Sequence, residues 1–415
     1  MSLTQQHIEL WGEDMPWLAG LREKGLSAFT KQGLPTAKTE AWKYSYVKES
    51  VFSDLVIDND TRHCQCGKEC HCHIADDLPF AVISVHFCNG KPDTEHTELP
   101  RGLVIKPLVE AIYDKEAQKY LNKSFDMEKF PFAALNTAYL EQGLMIVAER
   151  NALIEKPILL SYHSHGQNLW QNVRNLIVLE SGARLTLLED FSGDDEFYFN
   201  NIVNEIYIGN EAVLTHYKRV KEAKPALHIA LNSVVVRQNG RYNAFCAQSE
   251  CRLARSESYI QLQQEGAEAN VNGAYRLYNN GYSDITTNIR HLQAHTTSNQ
   301  LVKGVLDGSS RGVFQGQIHI APNAQQTEGY QLHRALLLSD NAEVDCKPEL
   351  EIFADDVKCS HGATSGDLDK EQLFYMQTRG IALDDAKQIL IEAYLNEVLL
   401  KVENEQIRKW LKEAL

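Results

Sequence analysis

Apolar and polar residues alternate in short runs through the middle of the chain, between Pro157 and Val357. These runs are rich in β-branched and aromatic residues, and no helical spacing interrupts them. Alternation with a period of two predicts β-strands. Representative runs are PILLSYH, NLIVLE, ARLTLLEDF, AVLTHYKRV, HIALNSVVV and LEIFA.

A turn signal followed by alternating residues recurs between these strands. It occurs at Gly182, Gly209, Gly240, Gly266, Gly308 and Asn341. Most successive spacings are about 26 to 33 residues, a range typical of solenoids. Strand-forming repeats predict a parallel β-helix. An antiparallel sandwich is the alternative, although a single sandwich rarely reaches this length. The corners at Asn239-Gly240 and Asn279-Asn280-Gly281 suit left-handed backbone conformations.

Helical spacing is confined to the two ends of the chain. A helix is predicted over Pro16 to Gln32, with Gly33 as its stop. A strand is predicted over Leu78 to Phe87, and further helices over Pro107 to Leu121 and over Pro131 to Gly143. The sequence therefore divides into a mixed, partly helical region (1–155), a β-helix (156–360) and a C-terminal helical region (361–415).

Three amphipathic segments form the C-terminal region. Asp367 and Asp369 are candidate N-caps of the first, which ends at Arg379-Gly380. The second opens at Asp384-Asp385, and the third covers Glu405 to Leu415. A solenoid end exposes strand edges, so we expect some of these apolar faces to cap it and the rest to bind a partner. The candidate partner-binding residues are Leu373, Phe374, Ile389, Ala393 and Tyr394.

Composition narrows the class of protein. The 415 residues include 43% apolar residues and carry a net charge of -15, which disfavours nucleic acid and anionic membranes as partners. No apolar run approaches the ~18 residues that span a bilayer. The N-terminal sequence has no secretory signal, and the nine cysteines predict free thiols in a reducing cytoplasm.

The densest group of metal-binding residue types is HCQCGKECHCH, at 63–73. Cys64, Cys66, Cys70 and Cys72 stand there with three histidines. Thiolate and imidazole suit zinc, copper(I) or an iron–sulfur cluster. The spacing is not the C-x2-C of a zinc finger. Two interpretations therefore stay open, a metal site and a tolerant insertion that captures metal adventitiously.

A second candidate site lies in the segment Asp355 to Ile381. It places Cys359 and His361 two residues apart in what reads as a glycine-rich turn, where strands give way to helices. Such junctions often carry function, and neutral imidazole can bind iron. A structural role is the alternative for His361. The other histidines, among them His291, His295 and His319, are interpreted as structural, and so are Cys246, Cys251 and Cys346.

Three long motifs resemble the SufB/SufD family of iron–sulfur cluster assembly proteins. They are LEIFADDVKCSHGATSGDLDKEQLFYMQTRGI at 350–381, GVFQGQIHIAPNAQQTEG at 312–329 and GLPTAKTEAWKYS at 33–45. The last also favours the SufD branch. From its residues alone, the 33–45 segment is interpreted as an aromatic-anchored lead into a short helix, with solvated charges.

The resemblance implies a right-handed parallel β-helix flanked by helical regions. It implies that SufB pairs through the β-helix and that the ATPase SufC binds the C-terminal helices. His361 matches a family histidine that acts with a SufB cysteine on iron or a transient cluster, and Cys359 is the weaker candidate. The family complex is also associated with reduced flavin. A homodimer is expected when SufB is absent.

The chain has no G-x-x-x-x-G-K-[ST] loop, so the resemblance implies a non-catalytic scaffold subunit with no ATP site of its own. Two alternatives remain at this point. One is a metal-storage or delivery protein that uses the 63–73 segment. The other is a carbohydrate-active β-helix enzyme, which would need clustered carboxylates on one face, whereas the acidic residues here are scattered.

Overall fold

The chain folds into a parallel β-solenoid with helices near both ends of the sequence. The computed structural model describes residues 3–4, 10–12, 14–57, 78–94 and 98–415. The Cys/His segment at 63–73 lies outside the described residues. The helices are α1 (Pro16–Gln32), α2 (Leu108–Ala111), α3 (Lys115–Tyr120), α4 (Pro131–Ala138), α5 (Lys370–Thr378), α6 (Leu383–Leu399) and α7 (Glu405–Lys412).

Four of the described strands precede α4, and strands occupy most of the sequence between α4 and α5. In chain order they are β1 (Val56–Ile57), β2 (Ile83–Cys88), β3 (Lys91–Asp93), β4 (Leu103–Pro107), β5 (Leu144–Ala148), β6 (Ile158–Ser164), β7 (Leu169–Leu179), β8 (Arg184–Gly193), β9 (Tyr198–Ile208), β10 (Val213–Val220), β11 (Leu227–Val236), β12 (Arg241–Gln248), β13 (Leu253–Leu262), β14 (Glu268–Leu277), β15 (Tyr282–His291), β16 (Thr297–Leu306), β17 (Arg311–Ile320), β18 (Thr327–Leu337), β19 (Glu343–Ile352) and β20 (Val357–Gly366).

The described strands form two ten-stranded sheets. Sheet A has the order β19-β17-β15-β13-β11-β9-β7-β5-β4, with β1 beside β7. Sheet B has the order β20-β18-β16-β14-β12-β10-β8-β6-β2-β3. Consecutive strands from β6 onward alternate between the sheets, so each coil adds one strand to each. Neighbouring strands of successive coils pair in parallel, as β11 does with β13 and β10 with β12. The parallel β-helix prediction is confirmed, and the sandwich alternative is wrong.

Aliphatic side chains stack in register through the interior. Ile177 of β7 pairs with Ile206 of β9, and the row continues from strand to strand of sheet A through Val234, Ile260 and Ile289. All five are buried in one core cluster. Full burial of such a side chain contributes about 1.5–3 kcal/mol. The repeated alternation of the sequence thus becomes one continuous row of contacts along the solenoid.

Asparagine supplies the left-handed conformation at the coil corners. Asn239 and Asn279 both have φ of 53°. Their neighbours Gly240 and Gly281 are needed for space instead, because a Cβ would lie 3.0 Å from the Gly209 carbonyl oxygen at the first position and 2.7 Å from the Glu250 Cβ at the second. The predicted role of these segments as coil corners is confirmed. Asparagine adopts the left-handed conformation, and glycine leaves room for the neighbouring coil.

Antiparallel strands end both sheets at the N-terminal end of the solenoid, and α4 packs on the outer face of sheet A over β7 and β9. β3 pairs antiparallel with β2, and β4 with β5. The Asn136 side-chain amide on α4 donates to the carbonyls of Val173 and Asn201, both at 3.0 Å. A buried ion pair of 2.7 Å joins Arg174 and Glu205 beneath α4. These contacts satisfy polar groups that would otherwise be buried alone.

Local helix predictions succeed where the caps are clear and fail elsewhere. The bounds predicted for α1 are confirmed. The helix predicted over Pro107 to Leu121 is wrong as a single element, since a break separates α2 from α3. The helix that begins at Pro131 ends at Ala138, before the predicted Gly143, because the chain must turn there into β5. β2 begins at Ile83 rather than at Leu78.

The C-terminal helices lie on the outer face of sheet B. Leu395, Val398 and Trp410 pack there in one cluster with Leu188 and Phe245. Because sheet B presents apolar side chains on that face, it offers α6 and α7 more to bury than the narrow end of the solenoid does. Our expectation that these helices cap the solenoid is therefore wrong. The predicted N-cap Asp369 is confirmed by bonds from the backbone amides of Glu371 and Gln372.

The last coil of the solenoid, β19 with β20, is left uncovered within the described residues. Each of these strands stands at the end of its sheet. The side chains of β19 range from partly buried to exposed, and most of those of β20 are exposed. We call this surface, formed by the free edges and inward sides of β19 and β20, the open end.

Candidate functional site

His361 and Cys359 lie within the last strand. The register pairs Cys359 with Gly329, and His361 with Gln331 of β18. The glycine-rich turn expected at this point is therefore absent, and β20 continues to Gly366 before the helices begin. Backbone pairing with β18 imposes an extended conformation on residues that by themselves favour a turn, which is tertiary context overriding propensity.

Both candidate side chains sit at the mouth of the solenoid interior. In-register neighbours of a parallel sheet project to the same face. Since Gly329 and Gln331 are buried, Cys359 and His361 project to the inward side of the open end. His361 is exposed, whereas Cys359 is partly buried against the Ile318 cluster. Burial raises the pKa of the Cys359 thiol above its ordinary value, which keeps it protonated at neutral pH.

The described residues do not complete a metal site around His361. No group of three or more His, Cys, Asp or Glu side chains is placed to hold a metal ion in the described part of the chain. A single exposed imidazole and a neighbouring neutral thiol leave most coordination positions of an iron ion free. The open end can therefore contribute a ligand to a shared site.

The five candidate partner-binding residues separate into two groups. Phe374 on α5 and Ile389 on α6 are 69% and 47% exposed, and Ala393 is exposed one turn after Ile389. Leu373 and Tyr394 instead pack partly buried against the cluster beneath α6. The ammonium of Lys303 lies 4.0 Å from the Tyr394 ring centroid, which ties α6 to β16. We call Phe374, Ile389 and Ala393 the exposed helix face.

The N-terminal 33–45 segment has a structural role that its composition did not reveal. Trp42 is buried, and the guanidinium of Arg255 lies 4.0 Å from its ring centroid. Two residues before Trp42, the Glu40 carboxylate lies 2.8 Å from the Lys347 ammonium on β19. The segment thus runs along sheet A as far as the open end. Its interpretation as a lead into a short helix is confirmed by the turn at Glu40–Trp42. The Glu40 side chain is solvated as expected, at 82% exposed, although it also pairs with Lys347.

The four cysteines at 64, 66, 70 and 72 belong to the segment outside the described residues. Their metal-binding role stays a prediction. In the described ranges, no helix combines the length and apolar character that crossing a membrane requires.

Two models of known protein families match this chain. The family model described as SUF system FeS cluster assembly, SufBD core domain, matches residues 162–394, more than half of the chain. The SufBD protein N-terminal region matches residues 2–160.

Curated relatives agree with this assignment over most of their length. An iron–sulfur cluster assembly SufBD family protein of Synechocystis is 29% identical over 88% of this chain and 83% of its own. Iron–sulfur cluster assembly protein SufD of Escherichia coli is 28% identical over 93% of this chain and 90% of its own. SufD of Bacillus subtilis is 26% identical over 99% of this chain and 97% of its own. The carbohydrate-active alternative has no such support, and the chain belongs to the SufBD family of the SUF iron–sulfur cluster assembly system.

Proposed function

We propose that this chain is a non-catalytic scaffold subunit of a SUF assembly complex. It pairs with SufB at the open end, binds the ATPase SufC through its C-terminal helices, and helps hold iron or a nascent cluster through His361. Cys359 is a weaker candidate for the same task. The observation that carries the proposal is the uncovered last coil with an exposed histidine on it.

Unpaired strand edges favour association with another chain. They present a row of free backbone donors and acceptors, which an added strand satisfies. At the end of β19, Ile352 and the adjoining Phe353 are 40% and 61% exposed, so association would also bury apolar surface. A second solenoid of similar cross-section can continue both sheets at once. SufB is the partner that the family resemblance implies, and a second copy of this chain can take its place when SufB is absent.

A shared site suits transient assembly. Iron and the nascent cluster are cargo here, and cargo must leave. One imidazole from this chain with a thiolate from SufB leaves open coordination positions, whereas four protein ligands form a closed structural site. Because the chain lacks a phosphate-binding loop, ATP hydrolysis belongs to SufC. A cytoplasmic location, and an association with reduced flavin in the assembled complex, go with this assignment.

His361→Ala should lower iron and sulfide in the purified complex several-fold while leaving assembly with SufB and SufC intact. An exposed side chain is removed and the β20 backbone is kept, so the expected stability change is within about 0.5 kcal/mol. Anaerobic co-purification followed by iron and sulfide analysis measures the effect. The control is His295→Asn, since His295 is also exposed but lies in a corner with φ of 57°, which asparagine tolerates. Normal iron content and normal complementation in His361→Ala would assign His361 a structural role.

Ile389→Asp should weaken SufC binding without changing thermal stability, because Ile389 belongs to the exposed helix face. Tyr394→Asp should weaken SufC binding and also lower the melting temperature, because it removes packing beneath α6 and the contact with Lys303. Pull-down with SufC and thermal unfolding of both variants separate the two effects. If Ile389→Asp binds SufC normally, the exposed helix face is not the SufC surface.

A further inference from the structure

Cys346 faces the interior at the open end, and an imidazole lies directly beneath it. It pairs in register with Phe314 of β17, on the inward side of β19. Its Sγ lies 3.1 Å from Nδ1 of His333. The other ring nitrogen of His333, Nε2, lies 2.9 Å from the Tyr275 hydroxyl. Thiol, imidazole and phenol thus form a line from the open end into the solenoid.

The fold holds the imidazole in a fixed orientation. Its ring is stacked on Phe314, with centroids 5.0 Å apart and an interplanar angle of 9°, and lies nearly parallel to Tyr275 at 6.0 Å. Space for Tyr275 comes from Gly304 and Gly312, where any Cβ would collide with the Tyr275 ring. β16 and β17 therefore each have a glycine at the point where the Tyr275 phenol needs room to reach His333.

An unpaired acceptor lies on the same inward row. Gln331 is 2% exposed, and its side-chain oxygen Oε1 has no hydrogen-bond partner among the described residues. Its amide nitrogen donates to the carbonyls of Gly316 and Glu349, both at 3.3 Å. A buried acceptor without a donor is costly. A cation, or a water molecule bound to a cation, would satisfy it.

We propose that Cys346 and His333 form a binding site for a divalent first-row transition-metal ion, oriented by Tyr275 and separate from the His361 position. Thiolate and imidazole are the donor pair that such ions favour. The hydrogen bond from Nε2 of His333 to Tyr275 is the outer-shell contact that metal-binding histidines use. Water molecules complete the coordination, and the unpaired oxygen of Gln331 can accept a hydrogen bond from one of them. This site goes beyond the proposed function, because it requires neither SufB nor His361.

Binding replaces a proton with the metal. Burial raises the pKa of Cys346 to about 11 and lowers the pKa of His333 to about 4, so both groups are neutral at neutral pH. The thiol proton leaves through the open end as the Sγ–metal bond forms, and neutral Nδ1 donates its lone pair. Ligand distances of about 2.3 Å to sulfur and 2.1 Å to nitrogen with tetrahedral angles require a separation of about 3.6 Å. The thiol must therefore move by about 0.5 Å on binding.

Anaerobic titration of the isolated full-length chain with Co²⁺ tests the site. The background is the variant with serine at Cys64, Cys66, Cys70 and Cys72, which removes the other thiol cluster. We expect one equivalent of Co²⁺ to give a thiolate-to-cobalt charge-transfer band. Cys346→Ser should abolish the band, and Cys359→Ser should leave it unchanged. Tyr275→Phe should weaken Co²⁺ binding by about 10–100-fold, the usual effect of losing an outer-shell partner.

Alkylation gives a second measurement on the chain with all its cysteines. Peptide mass spectrometry should show Co²⁺ slowing the reaction of Cys346 with iodoacetamide. A band that survives Cys346→Ser, or no band in protein whose circular dichroism shows it folded, overturns the proposal. Neither result bears on His361, because iron loss in His361→Ala is measured in the complex with SufB.

Discussion

Asp284→Ala is expected to lower the free energy of unfolding by about 3–5 kcal/mol, because it leaves the buried Arg255 guanidinium with only its longer, 3.3 Å contact to Glu257 as counter-charge. Arg255 and Asp284 are both fully buried and form an ion pair between β13 and β15. Ser45 donates to the same Asp284 oxygen and accepts from Arg255 at 3.0 Å. The pair therefore joins the N-terminal 33–45 segment to sheet A, and its loss should release that segment.

Urea unfolding of the isolated chain measures the effect, and limited proteolysis near Lys43 reports release of the segment. The control is Glu268→Ala, which breaks the 2.6 Å ion pair with Arg241 on the surface, where the side chains are 35% and 48% exposed. An exposed pair is worth about 0–1 kcal/mol. Equal losses in the two variants would show that burial does not set the strength of the Arg255 pair.

Ala363→Glu should weaken pairing with SufB by on the order of 100-fold or more. Ala363 is exposed on β20 and stands in register with His333, so in the free chain the carboxylate reaches solvent. A partner strand would enclose that charge, and the effective penalty for burying an ion is several kcal/mol. Each 1.4 kcal/mol changes affinity about tenfold.

Calorimetric titration of SufB with the unsubstituted chain and with Ala363→Glu measures the loss of affinity. Ala19→Glu provides the matched control, since Ala19 is an exposed alanine on α1. Both variants should melt close to the unsubstituted chain, because a surface substitution costs little. Normal SufB affinity in Ala363→Glu would move the pairing surface away from the open end.

The solenoid repeat could be predicted from the sequence because the patterns that signal it are local. Period-two runs, asparagine corners and the spacing of turn signals lie within single coils, and they predicted the solenoid. The same holds for α1 and for the Asp369 cap, which depend on a few adjacent residues. The division at 155 and 360 stays a prediction, although sheet B already includes β2 and continues through β20.

Contacts between distant residues left no local pattern. The interpretation of 33–45 missed Arg255 and Asp284, which lie more than 200 residues away. Likewise the contact of Cys346 with His333 was not predicted, because His333 belongs to the preceding strand of the other sheet. His361 was assigned to a turn because glycine favours turns, whereas pairing with β18 keeps it extended.

The regular pairing of the coils has a consequence for how such a chain can change length. Corresponding residues of successive strands are separated by one coil, as Arg241 is from Glu268 and Glu268 from Thr297. Each coil contacts only its neighbours, so a duplication or deletion of one whole coil preserves every other interface. Such an event would move the open end by about 4.8 Å along the axis relative to α4. The distance between the two ends of the solenoid is therefore a quantity that gene duplication can adjust in fixed steps, without redesign of the core.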